Sequence, residues 1–139
     1  MPEILVRFMI AVALVLFAVA LFHLMNWVIL ARARKNSQEK QITVNGQFPA
    51  ILYFTTPECI TCRTYQRPQL RRLSTILGKD FPVVEVDATQ QPELATQWGV
   101  LSVPTTFILD HAGTPRHVNH GAVRAEKLAE QLKQVLEPG

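Results

Sequence analysis

Hydrophobic and polar positions divide the chain into two unlike parts. From residue 8 to residue 22 every position is apolar, and the run continues past His23 and Asn26 to Ala31. A helix rises about 1.5 Å per residue, so this stretch is long enough to cross a hydrocarbon core of about 30 Å. Trp27 near its far end suits a membrane interface. Residues 1–31 are therefore predicted to form a single transmembrane anchor. The competing reading is a cleaved signal peptide, with Arg7 as its charged region and Ala18-Val19-Ala20 as a small-x-small cleavage site. Cleavage there would leave an apolar tail, residues 21–31, hanging from the remaining domain, and the anchor is preferred on that ground. His23 and Asn26 share a helix face, which suits a helix–helix contact or, more simply, reach to headgroups and water.

Residues 32–48 are polar and basic and read as a stem and turn, with a short edge strand at 42–44. From residue 49 the pattern shortens and alternates. Residues 50–55 form an apolar run of the buried parallel-strand kind. Residues 59–77 follow a helical period through Leu70, Leu73 and Leu77, closed by Gly78, with Pro68 inside as a predicted kink. Residues 82–86 make a second apolar strand ended by Asp87. Residues 92–98 make a short helix that opens on Pro92 and stops at Gly99. Strands at 105–109 and 114–118 flank the turn Asp110-His111-Ala112-Gly113. After Gly121, residues 122–136 give an amphipathic helix through Leu128, Leu132 and Val135. The order β-α-β-α-β-β-α predicts an α/β domain over residues 49–139: two parallel strands joined by a crossover helix, then a hairpin, with helices on both faces. Trp98 and Phe107 belong to its core.

The chain of 139 residues carries a formal charge of +3. That excess is localised. Residues 1–40 hold five basic side chains (Arg7, Arg32, Arg34, Lys35, Lys40) against Glu3 and Glu39, and residues 41–139 hold nine of each sign. The basic charge thus flanks the apolar segment, where it meets anionic headgroups, and no nucleic-acid partner is implied. Positive-inside logic favours the cytoplasmic side for the domain, by one or two charges only, and leaves the extracytoplasmic side open.

The chemistry concentrates at Thr55-Thr56-Pro57-Glu58-Cys59-Ile60-Thr61-Cys62, which holds the chain's two cysteines. A strand feeding a helix places Cys59 at the helix's first turn, where free N–H groups and the dipole favour a thiolate. Cys62, one turn on, is close enough to close a disulfide with it. Zinc would need two further ligands, and His117 and His120 point to opposite faces of an extended strand. No metal and no organic cofactor is expected, only the redox-active disulfide.

With Val103-Pro104 about 40 residues downstream and Gly121 before the last helix, the chain resembles the thioredoxin family over roughly residues 50–136. More narrowly it resembles the membrane-anchored thioredoxin-like proteins of bacteria. The resemblance implies a thioredoxin fold and thiol–disulfide exchange, with Cys59 as nucleophile and Cys62 as resolving thiol. It implies that Pro104 lies in a cis peptide beside the disulfide, that Val103 pairs through its backbone with an extended substrate, and that Gly121 borders the same groove. Glu58, Ile60 and Thr61, which stand where thioredoxin's Trp-Cys-Gly-Pro-Cys has Trp, Gly and Pro, become candidates for tuning the couple, as does Pro57 by its position beside the dithiol. The family's buried carboxylate falls at Tyr53 and its lysine neighbour at Val83, so neither supplies a base. The stem is short for the family's first strand and helix, which leaves an expected core of about four strands.

Arg63, Arg67 and Arg71 form a stripe read as a solvated face, and His120 a loop histidine that would approach Cys59. The resulting expectation is a single-pass membrane protein carrying a thiol–disulfide oxidoreductase domain. Its partners would be a protein disulfide or dithiol, an electron donor and the bilayer. Val103 before the cis-proline position resembles reducing members of the family. Two other classes stay open: a redox-inert binding module, and a two-thiolate copper(I) carrier.

Overall fold

The computed structural model describes residues 1–39 and 47–137. Helix α1 spans Pro2–Glu39 and strand β1 Ala50–Thr55. A π-helical turn at Cys62–Gln66 leads into α2, Arg67–Leu77. Then come β2 (Val83–Asp87), α3 (Pro92–Gln97), β3 (Thr105–Leu109), β4 (Pro115–His120) and α4 (Ala125–Leu136). The strands make one four-stranded mixed sheet in the order β2-β1-β3-β4. β1 runs parallel to β2, so a crossover is required and α2 supplies it; β3 is antiparallel to both β1 and β4. The turn between β3 and β4 is held by Asp110, whose Oδ1 accepts the N–H groups of Ala112 and Thr114, each at 2.9 Å.

β1 is buried along its whole length because it lies inside the sheet and is covered on both faces. Leu52 and Phe54 point to one side, where Trp98, Phe107 and Leu109 complete a core. The Trp98 and Phe107 rings meet edge to face at 4.9 Å, and Phe54 stands 5.9 Å from Phe107. Ile51 points to the other side, into a second core with Leu73, Ile108, Leu128 and Leu132, beneath α2 and α4. A buried polar pair sits between β4 and α4: the Asn119 and Gln131 amides exchange hydrogen bonds of 2.8 and 3.0 Å.

Two features differ from the sequence reading. Helix α1 does not stop near residue 31 but continues through Glu39, into the stretch expected as stem and turn. No glycine or proline interrupts residues 3–44, and Arg, Ala, Lys, Gln and Glu after residue 31 are good helix formers. The expected edge strand at 42–44 lies outside the described residues. The second difference is at Pro68. The helix is not simply kinked there; a π turn precedes it, with the Arg67 N–H donating to the Cys62 carbonyl. The wider turn makes room for the proline ring against the carbonyl of Thr64, the conflict that otherwise bends a helix.

The end of α1 belongs to the domain. Residues 2–25 are exposed, whereas Asn26, Val28, Leu30 and Ala31 are partly covered and Ile29 is only 6% exposed. Ile29 completes the core that α3 covers on the same face. Gly99, with φ at +69°, makes this approach possible, since a Cβ there would stand 3.2 Å from Ile29 Cγ2.

Candidate active site

β1 ends at Thr55 and the chain turns through Thr56, Pro57 and Glu58 before the helix begins at Ile60. The Cys59 N–H donates to the Thr56 carbonyl at 3.2 Å, which seats Cys59 at the helix start. Cys59 and Cys62 are joined in a disulfide. Cys62 is fully buried and Cys59 half-buried, so one sulfur is open to a partner and the other is shielded. The Cys62 N–H donates to Cys59 Sγ at 3.1 Å. A backbone donor at a helix N-terminus, aimed at a sulfur, is the arrangement that favours a thiolate over a thiol. Pro57, Glu58, Ile60 and Thr61 are all exposed around the pair.

Val103 and Pro104 lie at the same end of the sheet. Their peptide bond is cis, as is that between Phe48 and Pro49, which the sequence reading did not anticipate. Pro104 is buried and Val103 partly so. Thr105, which follows, pairs with Phe54 just before the cysteine turn and with His120 on β4. The Gly121 N–H donates to the Pro104 carbonyl at 2.8 Å, so the three expected groove residues form one unit. Gln66, one turn after Cys62, locks this unit to the disulfide helix. Its Oε1 accepts the Val123 N–H at 2.8 Å and its Nε2 donates to the Val123 carbonyl at 3.3 Å. Gln69 Oε1 similarly accepts the Ala125 N–H at 2.9 Å. Neither glutamine was legible as a site residue, because a polar residue on a helix usually faces water.

The fold and the site agree with what comparison finds: the profile of the thioredoxin-like domain matches residues 35–136. The chain belongs to the thioredoxin-like family. It is 28% identical over 107 residues to the chloroplastic thioredoxin Y of Oryza sativa, a match over 77% of this chain and 62% of that protein. It is 31% identical over 85 residues to a thioredoxin-like protein of Synechocystis, covering 61% of this chain and 79% of the relative. Among solved structures, a malaria-parasite thioredoxin-2 superposes with a TM-score of 0.55 at 26% identity, over 61% of this chain and 81% of that one. Thioredoxin 1 of Thermosipho africanus, 20% identical, shares the fold with a TM-score of 0.52 over 63% of this chain and 93% of its own. A Cys-x-x-Cys disulfide in this family makes the chain a thiol–disulfide oxidoreductase.

Within the thioredoxin-like frame three departures stand out. Tyr53, at the position of the family's buried carboxylate, is fully buried and its hydroxyl has no hydrogen-bond partner. Burial raises its pKa above the ordinary 10.0 and the Glu85 charge adds to this, so it is no base at neutral pH. Val83 faces Ile51 in the parallel register, whereas Glu85 stands opposite Tyr53 and pairs with Arg67. The carboxylate of this neighbourhood therefore comes from β2, and Arg67 is not part of a purely solvated stripe. The third departure is His120. Its Nε2 lies 3.2 Å from Asn26 Oδ1 on α1, a hydrogen bond in the tautomer that carries the proton there, so the ring meets the N-terminal helix. Asn26 thus contacts the domain, where a second helix or headgroups had been expected. Among the described residues no group of three or more His, Cys, Asp or Glu side chains is placed to hold a metal ion.

Proposed function

We propose that the chain is a membrane-tethered reductase of protein disulfides. Cys59 acts as nucleophile, Cys62 as resolving thiol, and Val103, Pro104 and Gly121 hold an extended stretch of the substrate. The observation that carries the reading is the asymmetry of the pair: Cys59 is partly open and receives the Cys62 N–H, while Cys62 is shielded behind it. In the forward direction the Cys59 thiolate attacks a substrate disulfide, forming a mixed disulfide and releasing one substrate thiolate. Cys62 then attacks Cys59 Sγ, closing the internal disulfide and releasing the second. Two electrons pass to the substrate, and a dithiol donor restores the pair. The reducing direction is supported by the resemblance of Val103 to that position in reducing relatives.

Tethering is supported by one helix, Pro2–Arg32, that is long and apolar enough to cross a membrane, with a mean hydropathy of 2.8 in its best window. A cleaved leader remains a second reading, favoured by one observation: cleavage after Ala20 would leave Asn26 and Ile29 still docked on the domain. The mass of the mature chain separates the two. For direction, the full chain is equilibrated in glutathione or dithiothreitol buffers and its reduction potential read. A value near −270 mV supports a reductase, and one near −120 mV makes it an oxidant. Absence of a reversible couple returns the chain to the binding-module class, and stoichiometric copper(I) on the reduced pair favours the carrier.

A further inference from the structure

The direction in which α1 leaves the domain decides where the disulfide points. The first residue of α1 that the domain covers is Asn26, against His120, and Phe22 one turn earlier borders the cleft beside it. His120 ends β4 and pairs with Thr105, beside Pro104 and Gly121. From there α1 continues past Ile29 and Gly99 over the core. The apolar segment therefore departs from the end of the sheet that carries the disulfide.

The arithmetic of the span brings that end to the bilayer. About 20 helical residues cross a hydrocarbon core. Counted from Ile4 or from Phe8, the crossing ends at His23 or Trp27, on the turn that touches the domain. The apolar run is longer than the bilayer needs, and its surplus is what packs under the sheet. Only a headgroup layer of about 5–8 Å then separates the hydrocarbon from the Gly121 end. The disulfide, at the end of β1, is two strands in from β4, a lateral offset of about 10 Å.

The character of that end fits. Outside α1, the exposed large apolar side chains among the described residues are Ile60, Tyr65, Val83 and Leu101. Ile60, 66% exposed, adjoins Cys59, and Leu101, 78% exposed, lies in the loop before Val103. A cleft of about 490 Å³ between α1 and the domain is lined by Phe22, His120, Arg124 and Lys127, which matches an apolar boundary with anionic headgroups.

We propose that the disulfide faces the bilayer and exchanges with a cysteine pair that an integral membrane protein presents at the membrane surface. This rests on the tethered reading above. A folded soluble protein about 30 Å across does not enter so thin a gap, whereas a cysteine pair at the end of another span is already there. A lipid supplies no sulfur to exchange. In the step itself the Cys59 thiolate attacks one partner sulfur, the partner S–S bond breaks, and its leaving thiolate takes a proton from water. Cys62 then loses its proton to water and displaces the second partner thiolate from Cys59, so the partner gains the two electrons that the Cys59–Cys62 dithiol loses.

The test uses the full chain, reduced, in vesicles of phosphatidylcholine and phosphatidylglycerol. Three disulfide probes carry the same cysteine segment: directly after the apolar stretch of a single-span peptide, beyond an added 20-residue helical spacer of about 30 Å, or on a soluble peptide. Oxidation of the chain is followed by the loss of alkylatable Cys59 and Cys62 on the chain itself, since the probe gains as many thiols as the chain loses. The surface probe is expected to react at least tenfold faster than the spaced probe at equal surface density. Equal or faster reaction of the spaced probe overturns the inference while leaving the tethered oxidoreductase intact. Reaction with none of the three overturns the redox reading and this inference with it. Release of the chain from the vesicles by alkaline carbonate overturns the tether and the inference, but not the chemistry.

Discussion

Ile29 on the long N-terminal helix packs directly over Gly99 at the end of α3, so close that a Cβ on Gly99 would stand 3.2 Å from Ile29 Cγ2. The contact makes the apolar helix a structural part of the catalytic domain. Ile29→Ala removes a buried side chain from the core shared with Leu52, Phe54 and Trp98. It is expected to cost about 2–4 kcal/mol in urea unfolding. Gly99→Ala both crowds Ile29 and forces a Cβ into the left-handed region, for a cost of about 1–2 kcal/mol. Wild-type unfolding midpoints in both variants would show that α1 is not docked.

Truncation tests the same junction differently. A fragment of residues 41–139 loses the helix that covers Trp98, which is 2% exposed in the whole chain. It is expected to be less stable than a fragment of residues 21–139 by about 2 kcal/mol or more, from lost apolar burial. With Trp27 replaced by Phe in the longer fragment, so that Trp98 alone reports in both, the emission of the shorter fragment shifts to the red. Identical unfolding curves and spectra for the two fragments would contradict the docked helix.

The two cysteines carry different loads. Cys59→Ser removes the accessible sulfur and is expected to lower disulfide exchange at least about a hundredfold, since the thiolate is the nucleophile. Cys62→Ser keeps the attacking sulfur but cannot resolve the mixed disulfide, so a covalent adduct accumulates. Non-reducing gels report the adduct. Adducts through Cys62 in the Cys59→Ser protein, at comparable yield, would reverse the assignment.

The Asn119–Gln131 pair gives a test of buried polarity. Gln131→Leu takes two hydrogen bonds from the Asn119 amide, which is 6% exposed, and leaves it the 3.3 Å bond from its Nδ2 to Thr106 Oγ1, so the change is expected to cost about 1–3 kcal/mol. The double change Asn119→Leu with Gln131→Leu should recover much of that loss. A single variant as stable as the wild type would mean that water satisfies Asn119.

Stability should also depend on pH through His117 and His120. Burial lowers both pKa values below 6.5, and at His117 the charges of Arg116 and Lys127 add to it. Below 6.5 the unfolded chain binds protons that the folded chain resists, so stability is full above 6.5 and falls as the pH drops from there towards the folded pKa values. Asp87 acts in a separate window. Hydrogen bonds from Thr89, its hydroxyl first, lower its pKa, so that contribution is lost only below about 3.8. Urea midpoints between pH 7.5 and 5 should fall for the wild type and less for His117→Gln. A flat profile would contradict buried neutral imidazoles.

Much of the fold was legible because it rests on local signals. The uninterrupted apolar run of β1 marks a strand buried on both faces, and Gly78 and Gly99 mark helix ends. The spacing of Cys59 and Cys62 placed both sulfurs on one helical turn, and Val103-Pro104 announced the neighbouring loop. What was misread depended on partners distant in sequence. Gln66 carried no signal of its own, because only the fold brings the loop at Val123 to it. Glu85 was silent because only the parallel register of β1 and β2 sets it opposite Tyr53.

The N-terminal helix shows the division most clearly. Sequence alone determined that a long apolar helix precedes a thiol–disulfide domain, since apolar composition and helix propensity act residue by residue. Only the tertiary structure decided that its last turns complete the domain's core, and that it leaves from the disulfide's end of the sheet. Those outcomes depend on which face of the sheet stands uncovered and on a glycine at position 99 that lets Ile29 close upon it.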